Sequence, residues 1–125
     1  MRSKRSAAVI GVVDDDESVG LATTALLRSA NWQVFTYLSA NQLLIDARRG
    51  ELSLVITDIH MPCMDGFALL DAIRQWEQPV PVIFITAYAT QDLLDRSMAS
   101  RAADFFPKPL DDARLLARID ELLGP

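Results

Sequence analysis

The 125-residue chain has one cysteine, one histidine, and no apolar run near the roughly 18 residues a membrane-spanning helix needs. Cys63 alone excludes an internal disulfide and any multi-cysteine metal site. Positive charge is also in short supply. Lys and Arg total 12 against 17 Asp and Glu, a formal net charge of -5, so no direct nucleic acid binding through a basic surface is expected of this segment. Met1-Arg2-Ser3-Lys4-Arg5 followed by apolar residues 7–13 superficially resembles a secretory signal. That run instead stops in Asp14-Asp15-Asp16 without a small-residue cleavage site. Residues 1–6 therefore read as a flexible tail, and the chain as a cytoplasmic protein with no membrane association. Repeats, linkers and low-complexity stretches are missing too. With half its residues hydrophobic, the chain suits one domain over residues 1–125.

What is present is a regular alternation. Ala8-Val9-Ile10-Gly11-Val12-Val13 runs into three aspartates, and Leu54-Val55-Ile56-Thr57 runs into Asp58. Short continuous apolar runs read as strands buried on both faces of a parallel sheet. The pattern predicts strands over residues 8–13, 32–37, 54–58, 82–85 with Thr86 at the end, and 104–106. Helices are predicted over 18–29, 39–48 with Ser39 as N-cap, 67–76, 91–100 and 111–123, with Gly124 beyond the last. Strict succession implies an α/β fold, a single five-stranded parallel sheet doubly wound as (βα)5 with right-handed crossovers. Two acid-ended strands side by side would gather like charges at the carboxyl edge, where such folds bind ligands. A divalent cation, a buried cation or a raised pKa relieves that repulsion.

In chain order the strand ends carry Asp14 and Asp15, then Asp58, then Thr86, with Lys108 just beyond the fifth strand. Their settings are Val12-Val13-Asp14-Asp15-Asp16, Thr57-Asp58-Ile59-His60-Met61-Pro62-Cys63-Met64-Asp65-Gly66, Thr86-Ala87 and Lys108-Pro109. Over essentially the whole chain these blocks resemble the receiver (phosphoacceptor) domain of two-component response regulators, most like those fused to helix-turn-helix transcriptional outputs. The resemblance implies a flavodoxin-like receiver fold and phosphoryl transfer from a sensor histidine kinase to Asp58. It implies Mg2+ (or Mn2+) held by Asp15, Asp58 and the backbone carbonyl of His60, with Asp14 holding coordinated water. Lys108 and Thr86 would meet the phosphoryl oxygens, with the Ala87 N–H beside them. Thr86 drawn inward would vacate space for the Phe105 ring, switching the face made by helix four, strand five and helix five to control an output such as transcription.

Phe105 lacks the hydroxyl of the tyrosine often found there, so ring packing alone would carry the coupling. The resemblance also implies a cis peptide before Pro109. Many relatives have glycine where Arg101 leaves helix four, so here either the turn differs or a left-handed strain of roughly 1 kcal/mol is tolerated. Implied partners are the kinase, an output domain or partner protein, and a second copy in a phosphorylation-dependent homodimer.

The residue types support this chemistry independently. A strand-end carboxylate can become an acyl phosphate. Moving a phosphoryl group onto an anion requires charge management more than covalent help. A hard cation on oxygen ligands supplies it, and Lys108 adds a mobile ammonium. The resemblance also makes His60 and Tyr88 candidates for tuning water access to the acyl phosphate, with plain exposed-loop positions as the alternative. Asp16 reads as a helix-start acid, Cys63 as filling a small loop site, and Trp32 and Trp76 as packing residues. On this reading the chain is not an enzyme but a phosphoacceptor that assists its own phosphorylation and dephosphorylation.

The alternative is a haloacid-dehalogenase-like Mg2+-dependent phosphatase with Asp14 as nucleophile. Asp14-Asp15-Asp16-Glu17-Ser18 loosely fits an Asp-x-Asp-x-Thr/Ser pattern, but this leaves Asp58 and its sequel unexplained. A flavin carrier of similar topology is disfavoured, because the acidic loop after strand one is a poor phosphate cradle.

Overall fold

A computed structural model describes residues 7–124; the tail expected over 1–6 lies outside the described residues. The strands are β1 Val9–Val13, β2 Gln33–Tyr37, β3 Leu54–Asp58, β4 Val82–Thr86 and β5 Asp104–Pro107. They form one parallel sheet in the order β2-β1-β3-β4-β5. The helices are α1 Glu17–Ser29, α2 Ala40–Ile45, α3 Gly66–Arg74, α4 Gln91–Ala99 and α5 Asp112–Leu123. Every residue of β1, β3 and β4 is buried, as their continuous apolar composition requires. Alternation along these strands divides the interior into two cores. Val9, Val13, Val55 and Phe84 pack with Leu69, Leu70 and Ile73 of α3. Ile10, Val12, Ile56, Ile83 and Ile85 pack with Leu27 of α1 and with Leu115 and Ile119 of α5. The expected doubly wound (βα)5 sheet is the observed one, and its strand order reverses between β1 and β3, the two acid-ended strands.

Element ends differ from the periodicity where local hydrogen bonds compete with it. The second strand starts at Gln33, one residue later than expected, because Trp32 closes α1. Asn31 is left-handed (φ 71). Its N–H donates to Arg28 O at 3.0 Å and that of Trp32 to Leu27 O at 3.1 Å, a Schellman ending. α2 stops at Ile45 rather than near residue 48. Asp46 turns extended, accepts from Tyr37 Oη at 2.6 Å and from Arg48 N at 3.0 Å, and so competes with the helical pattern. A 3-10 turn over Arg49–Glu51 follows.

Arg101 leaves α4 left-handed at φ 62, closed by Arg101 N to Met98 O at 3.1 Å and Ala102 N to Ser97 O at 3.3 Å. Of the two outcomes foreseen there, the strain is tolerated. The Lys108–Pro109 peptide is cis, and Gly124 caps α5. Cys63 is corrected: it is exposed rather than filling a loop site, on a backbone at φ 69.

Candidate functional site

Strand register assembles the site. β1 and β3 pair Val13 with Thr57, so the next residues, Asp14 and Asp58, leave the sheet side by side. β3 and β4 pair Asp58 with Ile85, which brings Thr86 to the neighbouring position. β4 and β5 pair Thr86 with Pro107, and the Lys108 N–H donates to Thr86 O at 2.8 Å. Four segments far apart in sequence thus meet at the carboxyl edge, beside the point where strand order reverses.

The acids are distinguished by environment. Asp14 is buried, its Oδ1 accepting from Asp16 N at 2.9 Å and its Oδ2 from Lys108 Nζ at 3.0 Å. Asp58 is also buried and stands 3.4 Å from Lys108 Nζ. Lys108 therefore bridges both acids and sits closer to Asp14. Asp15 is exposed. Asp16 accepts from Val19 N as the N-cap of α1, which places it at the helix start as expected.

Burial pushes the Asp58 carboxyl above the usual carboxylate range. The Lys108 ammonium and the His60 N–H oppose that shift, and the Asp14 charge adds to it. Burial acts to lower the pKa of Lys108, but its bonds to Asp14 and the charges of Asp14 and Asp58 prevail and hold it above its ordinary value.

One carboxylate oxygen each from Asp14, Asp15 and Asp58 lies within 4.8 Å of the others. Three hard oxygen donors converge with one lysine to balance them, and that donor set suits Mg2+. Thr86 is fully buried, and its Oγ1 accepts from Tyr88 N at 3.0 Å. His60 and Tyr88 are both exposed, and their rings meet edge to face. Phe105 lies half-buried on β5 against the α3-side core.

Gly66 closes the sequence block that follows Asp58, and it positions that acid. A Cβ there would stand 2.9 Å from Asp58 O, 3.0 Å from Ile59 Cα and 3.3 Å from the Phe84 ring. The missing side chain lets the start of α3 lie directly on the backbone of Asp58, with Gly66 N donating to Ile59 O at 2.9 Å. A glycine shortly after a strand-end acid and opening a helix was the available signal. Two tryptophans were expected to pack, and they do: Trp32 in the α1/α5-side core and Trp76 against the α3-side core.

The family model for the response regulator receiver domain matches residues 10–120. The response regulator protein TodT of Pseudomonas putida is 32% identical over 113 residues, covering 90% of this chain and 50% of that protein. The DNA-binding transcriptional regulator NtrC of Klebsiella pneumoniae is 33% identical over 113 residues, covering 90% of this chain and 24% of NtrC. The chain thus spans half or less of the length of these relatives. Among solved structures, Vibrio cholerae chemotaxis protein CheY4 superposes with a TM-score of 0.84 at 25% identity, covering 93% of this chain and 98% of that one.

Proposed function

Because this chain belongs to the response regulator receiver family, we propose that it acts over residues 1–125 as one receiver module that accepts a phosphoryl group on Asp58. The observation that carries this is the convergence of Asp14, Asp15, Asp58, Thr86 and Lys108 on one sheet edge, with Asp58 held above the usual carboxylate range mainly by burial. An Asp58 carboxylate oxygen forms the new P–O bond. The P–N bond of the kinase's phosphohistidine breaks, and its electron pair returns to the imidazole nitrogen, which takes a proton. Asp15, Asp58 and the His60 carbonyl would hold Mg2+, with Asp14 reaching it through water; bound there, the ion neutralises charge on the phosphoryl oxygens. Lys108, already poised between the two buried acids, can follow the negative charge as it moves onto the phosphoryl group. The Thr86 hydroxyl meets a second oxygen.

Asp14 is held more tightly than Asp58: Lys108 Nζ stands 3.0 Å from Asp14 and 3.4 Å from Asp58, and the other Asp14 oxygen accepts from Asp16 N at 2.9 Å, which favours Asp58 as the nucleophile. The same contacts weigh against the phosphatase alternative. No external substrate is turned over on this reading. The output follows from rearrangement of Thr86 and Phe105 and of the α4, β5 and α5 face, which then meets an output domain, a partner or a second copy.

Intact-mass analysis after incubation with Mg2+ and acetyl phosphate or phosphoramidate tests this. One added phosphoryl group is expected, and none on Asp58→Asn. A label retained by Asp58→Asn would overturn the assignment.

A further inference from the structure

Tyr88 is 67% exposed, yet it is fixed at two points. Its backbone N–H donates to Thr86 Oγ1 at 3.0 Å. Its ring meets the His60 ring with centroids 5.4 Å apart and planes at 82°. His60 lies two residues after Asp58 on the β3–α3 loop and Tyr88 two residues after Thr86 on the β4–α4 loop, so the pair joins the loops that follow the acid and the threonine. The Ile59 N–H bond to Ile85 O, at 3.0 Å, ends the β3–β4 ladder. Past it, among the described residues, no backbone hydrogen bond joins residues 60–65 to 87–90. The ring contact joins the two loops there.

The bond from Tyr88 N bears on how Thr86 can act. Thr86 is fully buried, so its hydroxyl has few directions open to it. Turning that hydroxyl toward a phosphoryl oxygen on Asp58 requires Oγ1 to leave the Tyr88 N–H or to drag the Tyr88 backbone along. The first movement gives up the bond to Tyr88 N, and the second displaces the Tyr88 ring from His60.

We propose that His60 and Tyr88 form an aromatic latch in which Tyr88 is a positioning residue, holding the Thr86 hydroxyl in its resting orientation until a phosphoryl group on Asp58 draws it away. The latch rests on the reading of Asp58 as phosphoacceptor and names the groups that set how readily the modified state is reached. An aromatic pair of this geometry shifts a two-state equilibrium by about two- to tenfold. Because the pair contributes only through its rings, its effect is lost when either ring is lost and survives when the phenol hydroxyl alone is removed.

The test is titration with beryllofluoride, a phosphoryl mimic, in saturating Mg2+, following the backbone amides of Thr86 and Ala87 by NMR. Tyr88→Ala and His60→Ala are each expected to lower the beryllofluoride midpoint by about two- to tenfold, with the double variant shifting no further than one single variant. Tyr88→Phe should restore the wild-type midpoint. Mg2+ affinity of Tyr88→Ala, measured separately, should stay constant, since Tyr88 holds no part of the proposed cation site. Additive single effects, unchanged or raised midpoints, or a Tyr88→Phe variant that behaves as Tyr88→Ala would overturn the latch. A wild-type protein that takes up neither beryllofluoride nor a phosphoryl group overturns the acceptor reading itself, before any variant is compared.

Discussion

Asp58 and Thr86 stand between two helices of equal length and unequal attachment. α3 buries Gly66, Phe67, Leu69, Leu70 and Ile73, and its first residue lies against the backbone of Asp58. α4, also nine residues, buries Ser97 alone. The Ser97 hydroxyl has no hydrogen-bond partner among the described residues, and Met98 beside it is 70% exposed. Leu93 packs half-buried against the α3-side core, and two further contacts are peripheral. The Arg96 guanidinium lies 3.9 Å over the Phe67 ring, and Arg74 donates to the Ser100 carbonyl. Asp58 is thus anchored by the helix with much to lose from moving, and on the receiver reading proposed above the readout would fall to the helix with little to lose.

Core truncation tests that asymmetry with the largest expected effect. Ile73 is fully buried on α3, so Ile73→Ala should cost about 3 kcal/mol and lower Tm by on the order of 10 °C. Leu94 on α4 is half-buried, and Leu94→Ala should cost about 1 kcal/mol. Urea unfolding of both variants provides the comparison. Equal losses would show that α4 is docked as firmly as α3.

Charge at Asp58 gives the next effect, and its sign follows from burial. An acid whose folded pKa is raised destabilises the fold as pH climbs from the unfolded value through the folded one, and the full penalty remains above both. Burial raises Asp58, with the Asp14 charge adding to it against the pull of Lys108. Asp58→Asn should therefore melt a few degrees higher than wild type at neutral pH without Mg2+. The gap should close as the pH falls below the ordinary carboxylate range. Added Mg2+ should stabilise the wild type more than the variant, since a ligand bound only to the folded state raises its stability. A variant that melts below wild type at neutral pH would mean that Lys108, rather than burial, decides the balance.

The sheet was legible because its signal is redundant. β1, β3 and β4 are continuous apolar runs, and their acid or threonine ends mark the functional edge. The site residues could be placed together because parallel register forces the ends of neighbouring strands into one row. The competition at Asp46 was not legible, since it depends on Tyr37 reaching across from β2, a contact that periodicity does not encode. The role of Gly66 was hidden for a similar reason. An Asp-Gly pair reads as a turn whether or not another backbone lies 3 Å away. The weakness of α4 was half visible. Arg101 in place of glycine suggested a strained exit, but Leu93, Leu94 and Met98 resemble an ordinary apolar stripe, and only the packing shows Ser97 in the buried position instead.

The smallest effects fall on α4 itself. Ser97→Ala removes a buried hydroxyl without a partner among the described residues, which should stabilise the resting fold by about 1 kcal/mol, more than the few tenths of a kcal/mol expected from helix propensity alone. Arg101→Gly relieves the left-handed backbone at φ 62 and should add about 0.5–1 kcal/mol, partly offset by the greater freedom of glycine in the unfolded chain. Both changes strengthen α4 where it now sits and touch none of the acids. If α4 must leave this position when the site is modified, both variants should unfold later and also require more beryllofluoride for the same spectral change. Greater stability with an unchanged midpoint would mean that α4 keeps its docking through the switch, leaving Phe105 and the β4–α4 loop to carry the signal.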